Sequence, residues 1–387
     1  MKRATEQNNL NVPLHIITGQ YPPASGGLAD YTQRLAFGVS ESGGDAIVWC
    51  CNASVSETPA GKSLRVCRPA ASFGFCGILK LNRALAKFDR PRRLLVQWTP
   101  QLYGWRSMNV LFCLWVLVRG RVYRDEVEVM VHELFLPLVG SLKQRVAAIV
   151  QRLMVLMMLQ GVSSVCTSTS AWTPGIKRYL VGRPINVTTL PIPSNIELVQ
   201  DSDEVNRRRS TFQGQQIIGH FGTCGDLIAE HLEPIIQSGL AEFPDAVFLL
   251  FGRNSDRWAS QLSLGDQASR KRIVGLGELP EREISLWLQA CDVMVLPYPD
   301  GVTTRRGTTM ASLQHGCCVI TNDGPLTEGF WREQDALVLV EKPDSVQYVN
   351  TLRTLLSDTD SRARLCKQAR RFYGKNFSLK HTTERYV

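Results

Sequence analysis

Asp292-Val293-Met294-Val295-Leu296-Pro297 runs into Tyr298-Pro299-Asp300-Gly301-Val302-Thr303-Thr304-Arg305-Arg306-Gly307-Thr308-Thr309, and Met310–His315 then closes on Gly316. The apolar run reads as a buried strand, and the glycine-closed segment as a helix. Between them lies a loop at the C-terminal end of a strand, where parallel α/β sheets bind ligands. Arg305, Arg306, Gly307, Thr308 and Thr309 gather at the helix N-terminus. Guanidinium forks, hydroxyls and the positive end of a helix dipole suit a diphosphate. The plainer reading is a solvated loop whose arginines pair with Asp300.

The same alternation extends both ways. Leu14–Thr18, Ala46–Cys50, Leu94–Trp98, Val127–His132 and Ser164–Thr167 read as strands, with helices over Leu28–Glu41, Met108–Arg119, Leu142–Gln160 and Ala171–Leu180. After Pro191 a second series of strands begins at Ile217–Phe221 and ends at Leu337–Val340. Strand–helix alternation twice over predicts two parallel-sheet α/β domains. Leu190-Pro191-Ile192-Pro193-Ser194-Asn195 cannot be regular helix, which places the hinge near Pro193. The expected division is 1–193 and 194–360, with 361–387 rejoining the first domain.

Charge separates along the same line. Residues 1–195 hold 22 basic and 10 acidic residues, 197–360 hold 14 and 24, and 361–387 hold 8 and 1, within a total of +9 for 387 residues. Return of the tail to the first half would make one lobe about +19. A lobe of that charge points to an anionic acceptor or an anionic membrane surface, and Arg106, Arg119, Arg121, Arg124, Lys143 and Arg145 flank two strongly apolar helices. Nucleic acid is set aside, because the basic residues are spread out with no recognisable reader motif. The polar start Met1–Asn11 shows no signal peptide, and no apolar run approaches the roughly 20 residues that span a bilayer. Eleven cysteines without zinc spacing suggest a reduced, cytoplasmic protein without structural metal.

The first strand leads through Gly19-Gln20-Tyr21-Pro22-Pro23-Ala24-Ser25 to Gly26 and Gly27, just before a helix. Paired glycines there let backbone approach an anion, or merely serve a tight turn. His132 ends a strand and could contact substrate or move a proton, or be a packed, hydrogen-bonded residue. Glu133 follows it, to pair with it or to cap the turn. Trp98, at another strand tip, either walls the cleft or belongs to the core.

Together these features resemble the glycosyltransferase family 4 type of nucleotide-sugar transferase. The resemblance rests on Tyr21-Pro22-Pro23 with Gly26, Gly27 and Tyr31, on His132, on Pro191–Asn195, on Phe251-Gly252 and Val274-Gly275, and on the Asp292–Gly316 block. It implies a GT-B fold: two Rossmann-like domains facing a cleft, with a C-terminal helix crossing back to the first. It also implies transfer of a hexose-type sugar, with retention and without metal or other cofactor, from a nucleotide-diphosphate donor to a glycan or lipid-linked acceptor. Such transfer serves cell-surface polysaccharide or glycoconjugate synthesis, at the cytoplasmic face of a membrane. Gly26, Gly27 and Arg305–Thr309 would hold the donor, His132 would lie at the sugar, and Tyr31, Trp98 and Glu133 would line the acceptor side. Two glutamates usual in the family fall on Thr303 and Ala311, and its Arg and Lys after the first strand of the second domain are missing from Gly219–Asp226. Those departures leave open a binding or regulatory protein on the same fold that has lost catalysis.

Overall fold

The computed structural model describes residues 12–24, 26–51, 58–59, 63–264 and 266–387. Met1–Asn11 and Ser25 of the glycine loop lie outside them. The chain divides into two compact units, Met1–Pro191 with Leu379–Val387, and Ile192–Ser378.

The first unit contains β1 (Leu14–Thr18), α1 (Gly27–Glu41), β2 (Ala46–Cys50), β3 (Thr58–Pro59), β4 (Leu64–Cys67), α2 (Phe75–Leu85), β5 (Arg93–Trp98), α3 (Val110–Arg121), β6 (Glu126–Val131), α4 (Leu142–Leu159), β7 (Ser164–Thr167), α5 (Thr173–Tyr179) and β8 (Val187–Thr189). They form a sheet in the order β3-β4-β2-β1-β5-β6-β7-β8, parallel except for the short β3 edge. β1 lies between β2 and β5, with Leu14 opposite both Ala46 and Arg93. Strands this apolar form because helices cover both faces of a parallel sheet, so both sets of alternating side chains are buried. The order reverses between β1 and β5, which makes that edge the switch point where such sheets bind ligands.

The second unit contains α6 (Ser202–Ser210), β9 (Gln216–Phe221), α7 (Asp226–Glu242), β10 (Ala246–Phe251), α8 (Ser255–Gln261), α9 (Gln267–Lys271), β11 (Ile273–Gly275), α10 (Glu281–Ala290), β12 (Val293–Leu296), α11 (Gly307–Gln314), β13 (Val319–Asn322), β14 (Val338–Val340), α12 (Ser345–Ser357) and α13 (Thr359–Asn376). Its sheet runs β11-β10-β9-β12-β13-β14, all parallel, and reverses between β9 and β12. The loop quoted at the outset therefore leaves the switch strand β12.

The C-terminal stretch corrects one expectation. Residues 361–378 belong to the second unit, because α13 buries Ala369 and Tyr373 while Phe372 and Phe377 pack on Trp331. Only Leu379–Val387 returns to the first unit, opening with α14 (Leu379–Thr383). There Arg385 pairs with Glu128 at 2.7 Å, and the Tyr386 hydroxyl donates to the same carboxylate at 2.8 Å. Most of the tail's cations thus stay with the second unit. The first unit holds 24 basic against 11 acidic residues (+13) rather than +19, and the second holds 20 against 24 (−4).

Candidate functional site

In the second unit, the switch-point loop is built from buried pegs. Asn322, fully buried at the end of β13, accepts from the Tyr298 N–H at 2.8 Å and donates to the Tyr298 carbonyl at 2.8 Å. Gly301 has φ +83°, and a Cβ there would stand 2.5 Å from the backbone nitrogen of Gly324, so no other residue fits. Glu328, almost wholly buried, accepts from the Thr304 hydroxyl at 2.5 Å, from the Thr304 N–H at 3.2 Å and from the Trp331 indole at 3.0 Å. The loop is held as a fixed shape rather than left as a solvated excursion.

The loop ends in charge. Arg305 pairs with Asp300 at 2.6 Å, and Arg306 pairs with the other oxygen of that carboxylate while its guanidinium lies 4.4 Å from the centre of the Tyr298 ring. The pairing with Asp300 is the one the plainer reading of the loop anticipates. The Tyr298 hydroxyl bonds the hydroxyls of Thr308 (2.7 Å) and Thr309 (2.8 Å). Thr309 is fully buried, so its hydroxyl belongs to this internal network rather than to a ligand surface. Gly307 opens α11 without a side-chain cap, and a Cβ on it would meet nothing within 4 Å. The first N–H groups of α11 precede its first intrahelical bond, from Met310 to Arg306, and carry the positive end of the dipole.

Two groups at this edge escape a reading of the sequence. His220, at the end of β9, is buried, and its Nδ1–H donates to the Val295 carbonyl on β12 at 2.8 Å, which leaves the Nε2 lone pair without a partner. A Cβ on Gly222 would lie 3.4 Å from that nitrogen and 3.8 Å from the Thr308 methyl, so the three residues share one spot. Arg253, exposed, follows β10, and its carbonyl accepts from Cys224 of the β9 loop at 3.1 Å. Only knowledge of strand order brings His220 to the loop after β12 and Arg253 to the loop after β9.

In the first unit, Gly26 and Gly27 open α1 at the switch strand β1, again with no side-chain cap. Gly26 has φ +156°, and a Cβ there would press on the Gln20 amide at 2.8 Å. Gly27 needs neither, since its Cβ would meet nothing. Backbone geometry accounts for the first glycine and leaves the second as open approach to a helix N-terminus.

His132 follows β6. Its Nε2–H donates to the Gln97 side-chain oxygen at 2.7 Å, and its ring stands edge-on to Tyr31 with centroids 5.0 Å apart. Burial pushes this imidazole down to about 3, so it is neutral at pH 7 with Nδ1 as an acceptor. Beneath it, the Tyr31 hydroxyl and the Gln97 amide nitrogen are buried without hydrogen-bond partners. Tyr31 is only 3% exposed and supports the imidazole rather than lining a surface. Trp98 corrects the sequence reading as well: it is fully buried, stacks on Tyr103 and donates to the Leu134 carbonyl at 3.3 Å. A strand-end aromatic in a doubly covered sheet goes to the core before it reaches the edge. Glu133 is half-buried and accepts from the Gln101 amide at 2.6 Å.

Burial also lowers His220 to about 4, and lowers His15, whose Nδ1 accepts from the Trp49 indole at 3.0 Å, to about 3. Folded values below the unfolded value near 6.5 mean that the unfolded chain binds more protons in between. Stability is therefore whole above about pH 6.5 and is lost as pH falls towards 4, by about 1.4 kcal/mol per pH unit for each histidine. Urea melts from pH 7 to 4.5 should show this slope. His15→Gln, which keeps an acceptor for the indole, should flatten it by about one proton; an unchanged slope would contradict the burial argument for His15.

Two doubly wound parallel sheets, each with an uncapped, glycine-opened helix at its switch point, define the class: this is the GT-B fold. Residues 223–358, which include the loops after β9 and β12, match the family model described as Glycosyl transferases group 1. Among solved structures, sucrose-phosphate synthase from Thermosynechococcus elongatus is 14% identical with a TM-score of 0.73, covering 97% of each chain. An α,α-trehalose-phosphate synthase (UDP-forming) from Burkholderia vietnamiensis is 14% identical with a TM-score of 0.69, over 97% of this chain and 98% of that one. Anabaena HepE in complex with UDP-glucose is 15% identical with a TM-score of 0.67, over 97% and 98%. No curated protein sequence matches the chain significantly. The family match lies within the second unit, and the solved structures share the fold over nearly the whole chain.

Proposed function

We propose that this chain moves a hexose-type sugar from a nucleotide-diphosphate donor to a glycan or lipid-linked acceptor, with retention, in the making of a cell-surface polysaccharide or glycoconjugate. The observation that carries the reading is the rigid loop after β12, which delivers Arg305 and Arg306 to the open N-terminus of α11. An α11-bound diphosphate would compete with Asp300 for the two guanidinium groups, and would be met by the N–H groups of Gly307 and Thr308. Arg253, exposed after β10, adds a third cation at the same edge of this unit. These take the place of the Arg and Lys that Gly219–Asp226 lacks. Gly27 offers the open helix N-terminus of the first unit to an anion, and the neutral His132 orients or polarises at the sugar. Catalysis rests on positioning and on stabilising the departing diphosphate, with no protein nucleophile and no metal.

A calorimetric screen with UDP-, GDP- and ADP-sugars tests the donor half of the reading; binding of none would end it. Arg305→Ala and Arg306→Ala should each weaken the donor that binds by about tenfold, as expected for loss of one charge-assisted hydrogen bond. Unchanged affinity in both would remove the arginines from the site. Donor that binds yet is neither transferred nor hydrolysed with any acceptor would make the chain a sugar-nucleotide binding protein on this fold.

A further inference from the structure

We infer that α4 and the loops beside it form a docking surface for an anionic lipid bilayer. The helix has two apolar faces. One carries Ala147, Ala148, Met154, Val155 and Met158 into the core of the first unit. The other presents Leu142, Val146, Ile149 and Leu153, spaced four, three and four residues apart, and each is between 49% and 78% exposed. A stripe at that spacing is the mark of a helix face meant to be covered. Every residue from Ser141 to Val146 is exposed, so the first turn stands clear of the unit, held straight by the capping box of Ser141 and Gln144.

The loops flanking α4 extend the same surface. Gln151 donates to the Ser107 carbonyl at 3.1 Å and accepts from the Leu136 N–H at 2.8 Å, tying the turn around Trp105 and the loop through Val139 to the helix. Trp105 is 74% exposed and Val139 is 63% exposed. An exposed apolar patch this long on a charged unit marks an interaction surface.

The charge around it selects the partner. Arg106, Lys143 and Arg145 are exposed at the edge of the stripe, and no acidic residue occurs between Glu133 and Glu197. An apolar stripe with a basic rim, a tryptophan and no acid fits the boundary between headgroups and acyl chains of an anionic leaflet. Among the described residues no helix is long and apolar enough to cross a membrane, so α4 lies along the surface rather than through it. The inference makes no use of the reaction proposed above.

Sedimentation with vesicles of phosphatidylcholine alone, and with about a third phosphatidylglycerol, tests it directly. The protein should pellet with the anionic vesicles only, and Trp105 emission should shift to the blue on binding. Lys143→Glu with Arg145→Glu should weaken that binding by roughly tenfold or more. Ile149→Glu should abolish it, and should do so without changing the unfolding midpoint by more than a surface substitution does. Equal or negligible binding to both vesicle types would overturn the inference. So would unaltered binding by Ile149→Glu, or a dimer in solution that Ile149→Glu dissociates while vesicles bind neither form. None of these outcomes depends on donor or acceptor, so loss of the docking surface and loss of the proposed reaction are read separately.

Discussion

Glu328→Ala should destabilise the second unit by about 3–5 kcal/mol, since three buried donors lose their charged acceptor together. Those donors are the N–H and hydroxyl of Thr304 and the indole of Trp331. Against a typical domain stability of about 5–15 kcal/mol this is a large fraction. Denaturant melts should show the second unit unfolding first, and donor affinity should fall because the loop that carries Arg305 and Arg306 loses its peg. Glu328→Gln retains one acceptor oxygen and should fall between the two. An alanine variant that melts with the parent would mean that the carboxylate is a passenger in the loop.

His132→Ala should lower turnover by about 10²–10³-fold, the scale of a positioned acid–base or polarising group, with donor affinity changed only a few-fold. The imidazole is fixed from two sides, by Gln97 through Nε2 and by the edge of Tyr31. Gln97→Ala should therefore lower kcat more than it raises KM, because it frees the tautomer without removing the ring. Burial keeps His132 neutral from about pH 3 upward, so the kcat profile of the parent should show no inflection near 6.5 from this residue. Full turnover in His132→Ala would take it out of the site.

The strands were legible because both faces of each sheet are covered, so buried strands become unbroken apolar runs such as Leu14–Thr18 and Ala246–Phe251. The strand Leu64–Cys67 was not, because Arg65 interrupts a run of only four residues. The helix Ser202–Ser210 buries nothing and reads as a charged linker. It exists through the Asp201 cap and through ion pairs from Arg208 to Glu204 and Glu283 and from Arg209 to Asp292. Partners some 80 residues away leave no local pattern. The site divides in the same way. Glycines before a helix announce an open N-terminus, as Gly27 and Gly307 do. The groups that shape the loop, Asn322, Glu328 and His220, look like ordinary polar residues until strand order sets them beside it. The family resemblance puts Tyr31 on the acceptor side, and Trp98 at a strand tip reads as either cleft or core; in the fold they are support and core.

The return of Leu379–Val387 to the first unit has a consequence for synthesis. The first unit begins to leave the ribosome before the second and is closed only after it, since Arg385 and Tyr386, which reach Glu128, are made after Ser378. Until then Glu128 waits without its cation on the strand next to β7. A nascent chain therefore carries a nearly finished sheet through the whole production of the second unit, until a nine-residue clasp made after that unit joins the first.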